Sequence, residues 1–284
     1  MTDQRGSVEL PAAGPKRPAR PWALVTGASS GIGEALARQL AQLGYDIVLV
    51  ARDEARLVAC ARELTEASGA DTLIASTDLS HPDALVTLAD QINAAGISIE
   101  ILVNNAGFGL HGAYDHSSVD QATDLLQVQL VALLKLTHGL LPPMKRARRG
   151  YILNVASVYS LCPVPHQAVY SATKAFILSF SRALQAELEG SGVVVTVLCP
   201  GVTLTRFRSR QGYPESSSVK GMSAAVVARA GITGMFARRA LVVPGLSNRI
   251  FVLLAQLLPA KAAMRLIGKV NHRRGLSAAA GVTS

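Results

Sequence analysis

Hydrophobic residues along the chain fall into seven short runs of β-branched and aliphatic side chains: Trp22 to Thr26, Ile47 to Val50, Thr72 to Ala75, Ile101 to Val103, Ile152 to Val155, Val193 to Leu198 and Leu241 to Val243. Most are separated by stretches in which apolar positions recur every three or four residues, as in Leu36, Leu40 and Leu43 and again in Leu57, Ala61 and Leu64. A continuously apolar strand is buried on both faces, and the helices between such strands provide the cover. The pattern therefore predicts an α/β fold: one doubly wound domain with a seven-stranded, mostly parallel sheet and helices on both faces. No internal repeat interrupts it.

Directly after the first run comes Thr26-Gly27-Ala28-Ser29-Ser30-Gly31-Ile32-Gly33, followed at once by an amphipathic helix. Glycines permit a tight turn and close approach of the backbone to a pyrophosphate, whose charge meets the free N–H groups at the helix start. Strand, glycines and helix in this order mark a Rossmann-type dinucleotide site far more specifically than a glycine triplet alone. The second strand leads into Ala51-Arg52-Asp53. An acid at that strand end binds the ribose hydroxyls of NAD, whereas an arginine accommodates a 2′-phosphate. Ala51 lacks the acid, Arg52 supplies the guanidinium, and Asp53 reads as the N-cap of the following helix. The expected cofactor is NADP(H), with NAD less favoured.

Tyr170 and Lys174, in Tyr170-Ser171-Ala172-Thr173-Lys174, share one face of a predicted helix at i and i+4. An ammonium close to a phenol favours the phenolate, which equips a tyrosine to exchange a proton with a substrate oxygen near neutral pH. Ser157 stands thirteen residues before Tyr170 at the end of the fifth strand, where carboxyl strand ends open into the ligand crevice.

With these residues in order, the chain resembles the short-chain dehydrogenase/reductase family. The matching motifs are Thr26-Gly27 through Gly33, Asn104-Asn105-Ala106-Gly107 after the fourth strand, Ser157, Tyr170 with Lys174, and Pro200-Gly201 with Thr205 behind it. Together they span about residues 21–246. The Ala-Arg-Asp, Asp78-Leu79-Ser80 and Val243-Pro244-Gly245 segments are similar to a broad bacterial group of NADP-dependent reductases. The resemblance implies Tyr170 as acid/base, Ser157 as hydrogen-bond partner of the reacting oxygen, and Lys174 as the group that tunes Tyr170 and holds the nicotinamide ribose. It further implies a cofactor site of Gly27, Ser29, Ser30, Gly31, Ile32 and Gly33, then Arg52, Asp78 (toward the adenine ring) and Leu79, then Asn105, Ala106, Gly107, Pro200, Gly201 and Thr205, with Asn104 lining the cleft. Where the family has asparagine in Val-Asn-Leu, bending a helix and holding a relay water, this chain has Val128-Gln129-Leu130. Gln129 keeps the amide but extends it by one methylene, so the relay is expected to be displaced or rebuilt.

Composition and charge narrow the partners. The 284 residues carry a net charge of +9 and are 49% hydrophobic and 17% charged, which excludes a disordered chain. Residues 1–20 carry +2, residues 249–284 carry +6 with no acid, and the body between them is nearly neutral. A near-neutral body with 5% aromatic residues argues against a nucleic-acid partner. Cys60, Cys162 and Cys199 show no CxxC spacing and are read as buried thiols of a reducing, cytoplasmic compartment. No histidine spacing suits a metal, and none is expected.

The domain reading is a disordered, basic, proline-rich tail over 1–20, a dinucleotide-binding and catalytic domain over 21–248, and a basic amphipathic extension over 249–284. Lys261, Arg265 and Lys269 fall on one helical face, which fits a helix at a membrane surface, on the body, or in a dimer contact. A weak membrane-surface contact through 249–274, at the inner face of a membrane, is thus one of three readings. The apolar Val158 to His166 segment is expected to wall a lipophilic carbonyl substrate, while three arginines, Arg206, Arg208 and Arg210, fit either a loop that meets an anionic carrier or a solvated loop. The functional reading is hydride transfer between nicotinamide and a lipophilic ketone, aldehyde or secondary alcohol. The alternatives are a 3-oxoacyl reductase acting on coenzyme A or carrier-protein substrates, and a non-catalytic NADP-binding regulatory module. The resemblance implies a homodimer or homotetramer.

Overall fold

The structure is a computed structural model that describes residues 20–81, 83–205 and 221–271. The expected tail and the arginine-bearing segment 206–210 lie outside the described residues. Strands β1 (Trp22–Thr26), β2 (Asp46–Ala51), β3 (Thr72–Ser76), β4 (Ile99–Asn104), β5 (Gly150–Val155), β6 (Val193–Leu198) and β9 (Leu241–Val242) form one sheet in the order β3-β2-β1-β4-β5-β6-β9. Every pairing in it is parallel. The expected seven-stranded Rossmann sheet is present, and the strand order reverses between β1 and β4, where the carboxyl strand ends open a crevice.

The continuous apolar runs arise because alternate side chains enter two cores. Ala23, Val25, Ile47, Leu49, Ile101, Val103 and Leu153 pack with α1 (Gly31–Gln42), α2 (Glu54–Ser68) and α7 (Ala224–Phe236). Leu24, Val48, Val50, Leu102 and Ile152 pack on the other face with α3 (Ala84–Ala94), α5 (Ala132–Ala147) and α6 (Ala168–Glu187). Helix starts follow local chemistry. Asp53 caps α2 by accepting the Arg56 N–H, Ser118 caps α4 (Val119–Leu126) and Ser223 caps α7. The expected N-cap role of Asp53 is thereby met.

A π-helical turn, Gln127–Val131, joins α4 to α5. The joined segment Val119–Ala147 is long and apolar enough to cross a bilayer by length and composition, yet Leu133, Leu136 and Met144 are buried against the body. A two-stranded pair, β7 (Thr203–Leu204) and β8 (Met222–Ser223), follows β6. Beyond the sheet lie α8 (Leu246–Leu257) and α9 (Ala260–Asn271), so residue 249 falls inside a helix. Phe251 and Ala255 of α8 and Ile267 of α9 pack on Cys162, Val164 and Tyr159. The C-terminal helices are docked on the segment that runs between Ser157 and Tyr170.

Candidate active site

The glycine turn closes on itself too tightly for side chains. Gly31 has φ +63° and faces the Thr205 methyl, 3.0 Å from where a Cβ would stand. At Gly33 a Cβ would lie within 2.8 Å of Gly27 carbonyl atoms and the Asn105 amide nitrogen. Ser30, the N-cap of α1, makes no side-chain capping bond, so the first-turn N–H groups of α1 face the turn without a side-chain acceptor. This cradle fits an anionic diphosphate, and Thr205 covers it from the segment after β6. Ile32 packs against the first core.

The Asn104-Asn105-Ala106-Gly107 motif divides its work. Asn105 donates from its side chain to the Thr26 carbonyl at 2.8 Å, and the N–H groups of Asn105 and Ala106 both donate to the Thr26 hydroxyl. Its amide thus latches β4 to β1, a role the motif alone did not reveal. Asn104 donates to Asn154 at 2.9 Å and to Thr137, and Asn154 donates to Ser181 at 2.8 Å, a buried polar chain linking β4, β5 and α6. Gly107 lies against Gln129, whose Cδ is 2.9 Å from a Cβ built there.

At the adenosine end, exposed Arg52 stands 3.7 Å from Asp78. Burial opposes ionisation of Asp78, but bonds from the Ser80 N–H and hydroxyl and the Arg52 charge outweigh it and hold the carboxyl below its usual range. Leu79 points into the second core, leaving its backbone at the strand end.

Ser157 follows β5 and is the N-cap of a 3₁₀ turn, Val158–Leu161, its hydroxyl accepting the Tyr159 N–H at 3.2 Å. The turn is tied to Pro200, whose carbonyl accepts the Val158 N–H. Gly201 abuts Asn248 of α8 so closely that any side chain would collide with it. Tyr170 and Lys174 are both buried on α6. Lys174 donates to the Val155 carbonyl at the end of β5 at 3.0 Å, and its Nζ lies 5.6 Å from the Tyr170 ring centroid. Burial pushes the Lys174 ammonium down to about 7.

Gln129, in the π-helical turn, donates to the Phe108 carbonyl at 2.5 Å. Its Oε1 and the Asn104 Oδ1 are buried without a hydrogen-bond partner among the described residues. Both side chains line a cavity with Ala106, Val155, Lys174 and Ile177. The lining is mostly apolar, but the two orphaned amide oxygens and Lys174 supply the polar partners that a buried water needs.

Two features escaped sequence reasoning. His111 and His166, from loops 55 positions apart, bring their rings to 6.3 Å, and the Gly112 N–H donates to the His166 carbonyl. Burial and the neighbouring His166 lower the His111 pKa. His166 holds φ +62°, a left-handed conformation rare for a residue with a side chain. The second feature is the cover of Cys162 and Val164 by α8 and α9, which turns part of the expected substrate wall toward the C-terminal helices.

The short chain dehydrogenase family model matches residues 21–215. The chain is 35% identical over 181 residues to 17-beta-hydroxysteroid dehydrogenase type 3 of Homo sapiens, covering 63% of this chain and 58% of that one. It is 36% identical over 176 residues to very-long-chain 3-oxoacyl-CoA reductase of Laccaria bicolor, covering 61% and 52%. The chain thus spans between half and three-fifths of the length of these relatives. Among solved structures it resembles a short-chain dehydrogenase from Sphingobium yanoikuyae in complex with NADPH, with a TM-score of 0.75, 30% identity and coverage of 93% and 96%. It also resembles the bulky-bulky ketone specific alcohol dehydrogenase from Comamonas testosteroni, with a TM-score of 0.71, 27% identity and the same coverage. The family match runs from β1 past β6, through the strand ends that converge on Tyr170, and this chain belongs to the short-chain dehydrogenase family.

Proposed function

We propose that the protein is an NADP(H)-dependent oxidoreductase that interconverts a lipophilic ketone or aldehyde and the corresponding secondary or primary alcohol. The observation that carries this reading is the placement of Lys174: buried, anchored to the end of β5, and beside the Tyr170 ring. In this reading Tyr170 exchanges the proton with the substrate oxygen, Ser157 hydrogen-bonds that oxygen, and Lys174, in its protonated form, favours the phenolate. NADP(H), when bound, supplies the hydride chemistry. The Gly31 and Gly33 cradle, the α1 N-terminus and Thr205 hold its diphosphate, while exposed Arg52 beside Asp78 favours the 2′-phosphate form over NAD. Similarity to structures solved with NADPH or NADP supports the same preference. Gln129 acts as a positioning residue. Its amide nitrogen fixes the Phe108 loop, and its unpartnered oxygen holds water in the cavity shared with Lys174.

The test is NADPH oxidation with a panel of hydrophobic ketones and aldehydes. Wild-type turnover is expected, with a loss of about 10²-fold or more in Tyr170→Phe; an inactive wild type across the panel, or an unimpaired Tyr170→Phe, overturns the assignment. A second reading, reduction of 3-oxoacyl thioesters, is favoured by the similarity to very-long-chain 3-oxoacyl-CoA reductases. It predicts a higher kcat/KM for coenzyme A-linked than for free 3-oxo compounds. We place the protein in a reducing, cytoplasmic compartment as a homodimer or homotetramer; the three free, buried cysteines support the compartment.

A further inference from the structure

We propose that α8 and α9 form a docking surface for an anionic lipid bilayer. Helix α8 carries apolar side chains on both sides. Asn248, Phe251, Val252 and Ala255 face the body, whereas Leu246, Ile250, Leu253 and Leu257 follow one another at i, i+4, i+7 and i+11 and are all exposed, Leu246 at 71% and Leu257 at 73%. Leu254 and Leu258 flank this stripe and are exposed as well. A helix whose outer face meets only water carries polar residues there, and a contiguous exposed apolar patch marks an interaction surface.

Charge identifies the occupant. The sequence of α8 and α9, residues 246–271, has four Lys and Arg (Arg249, Lys261, Arg265 and Lys269) and no acid. Arg249 of α8 and Lys261 and Arg265 of α9 are exposed. A two-fold contact with a second copy would bring this excess of positive charge against itself. A leucine-rich stripe with basic neighbours instead has the chemistry of a helix lying in a membrane interface, with headgroup charge meeting the cations.

The placement gives the surface a purpose. The opposite side of the same helix pair closes over Cys162 and Val164, in the segment between Ser157 and Tyr170, and Asn248 abuts Gly201. A bilayer on α8 lies one helix away from that wall. Resting on the reductase reading, this assigns the substrate to ketones dissolved in the membrane.

The experiment sediments the full chain with phosphatidylcholine vesicles alone and with roughly 7:3 phosphatidylcholine–phosphatidylserine vesicles, at low and near-physiological salt. The wild type is expected to pellet with the anionic vesicles, less so as salt rises. Leu253→Ser with Leu257→Ser, and separately Lys261→Glu with Arg265→Glu, should each weaken binding about tenfold or more. These side chains are exposed, so the variants retain the fold, checked by thermal melting. No pelleting of the wild type, or wild-type pelleting of the leucine variant, overturns the proposal. So does a stable oligomer that the leucine variant dissociates without any vesicle binding, which would assign the face to a second copy.

An activity arm separates the two readings. A long-chain ketone in vesicles should be reduced faster by the wild type than by the leucine variant, and a short water-soluble ketone equally by both. Vesicle binding with neither ketone reduced sinks the reductase reading and leaves the docking surface standing; reduction of both ketones without vesicle binding does the reverse.

Discussion

Gly33 has no room for a methyl group, because the Gly27 carbonyl and the Asn105 amide already occupy that space. Gly33→Ala is expected to force the turn open, costing about 1–3 kcal/mol and weakening NADPH binding tenfold or more on the same rough scale. Gly44→Ala is the control: φ is +91° but nothing lies within 4 Å, so only strain of about 1 kcal/mol follows and binding is unchanged. Urea unfolding and a fluorescence titration with NADPH distinguish the two. Lys174 makes a second prediction at this scale. Its folded pKa of about 7 is depressed from 10.5, so below pH 7 the folded protein bears the full cost of a buried ammonium. Between about 7 and 10.5 the folded amine is neutral while the unfolded chain still binds the proton, so this group's contribution to stability rises with pH. Lys174→Met should therefore be more stable than the wild type below pH 7, by at most about 5 kcal/mol, with the difference shrinking toward pH 10.5. A difference that does not change with pH would refute the assignment.

At the scale of elements, the π-helical turn Gln127–Val131 and the C-terminal helices do the shaping. One extra residue in the turn lets Gln129 point inward to the Phe108 carbonyl and the Lys174 cavity. Gln129→Leu keeps the bulk and loses the amide, so kcat should fall by about tenfold while NADPH affinity stays at the wild-type value. An equal loss in both would assign Gln129 to cofactor binding instead. On α9, Ile267 is 2% exposed and, among the described residues, shares its cluster with two other buried residues, Cys162 and Val164. Ile267→Ala should cost about 2 kcal/mol, the lower end for such a truncation, and raise KM for hydrophobic ketones more than it lowers kcat. Steady-state kinetics with NADPH held saturating reads the split.

Across the whole molecule the parallel sheet gathers distant segments at one edge. The ends of β1, β4 and β5 meet in register, and Asn104 pairs with Asn154 there. The same layering buries all three thiols, and burial pushes Cys60 and Cys162 up to about 11. Thiol titration at neutral pH should find no rapidly reacting cysteine in the native protein and three after denaturation. A fast native thiol would show that one of these layers opens readily.

Sequence alone determined the sheet, its seven strands and the phosphate turn, since each leaves a local signature: unbroken apolar runs where both faces are buried, and glycines where a chain closes on itself. It also located the catalytic candidates, because Tyr170 and Lys174 lie one helical turn apart. Tertiary structure decided what those residues touch. The Asn105 latch on Thr26, the Asn104–Asn154–Ser181 chain and the His111–His166 pair join positions dozens of residues apart, and no periodicity records such a contact. The spacing of Lys261 and Arg265 fitted three environments, with docking on the body favoured over a membrane surface or a dimer contact. Only the burial of Ile267 against Cys162 and Val164, with the leucines of α8 left outside, showed which side of the C-terminal helices the body had taken. Helical spacing specifies a helix's faces, but what covers each face depends on packing against the rest of the chain.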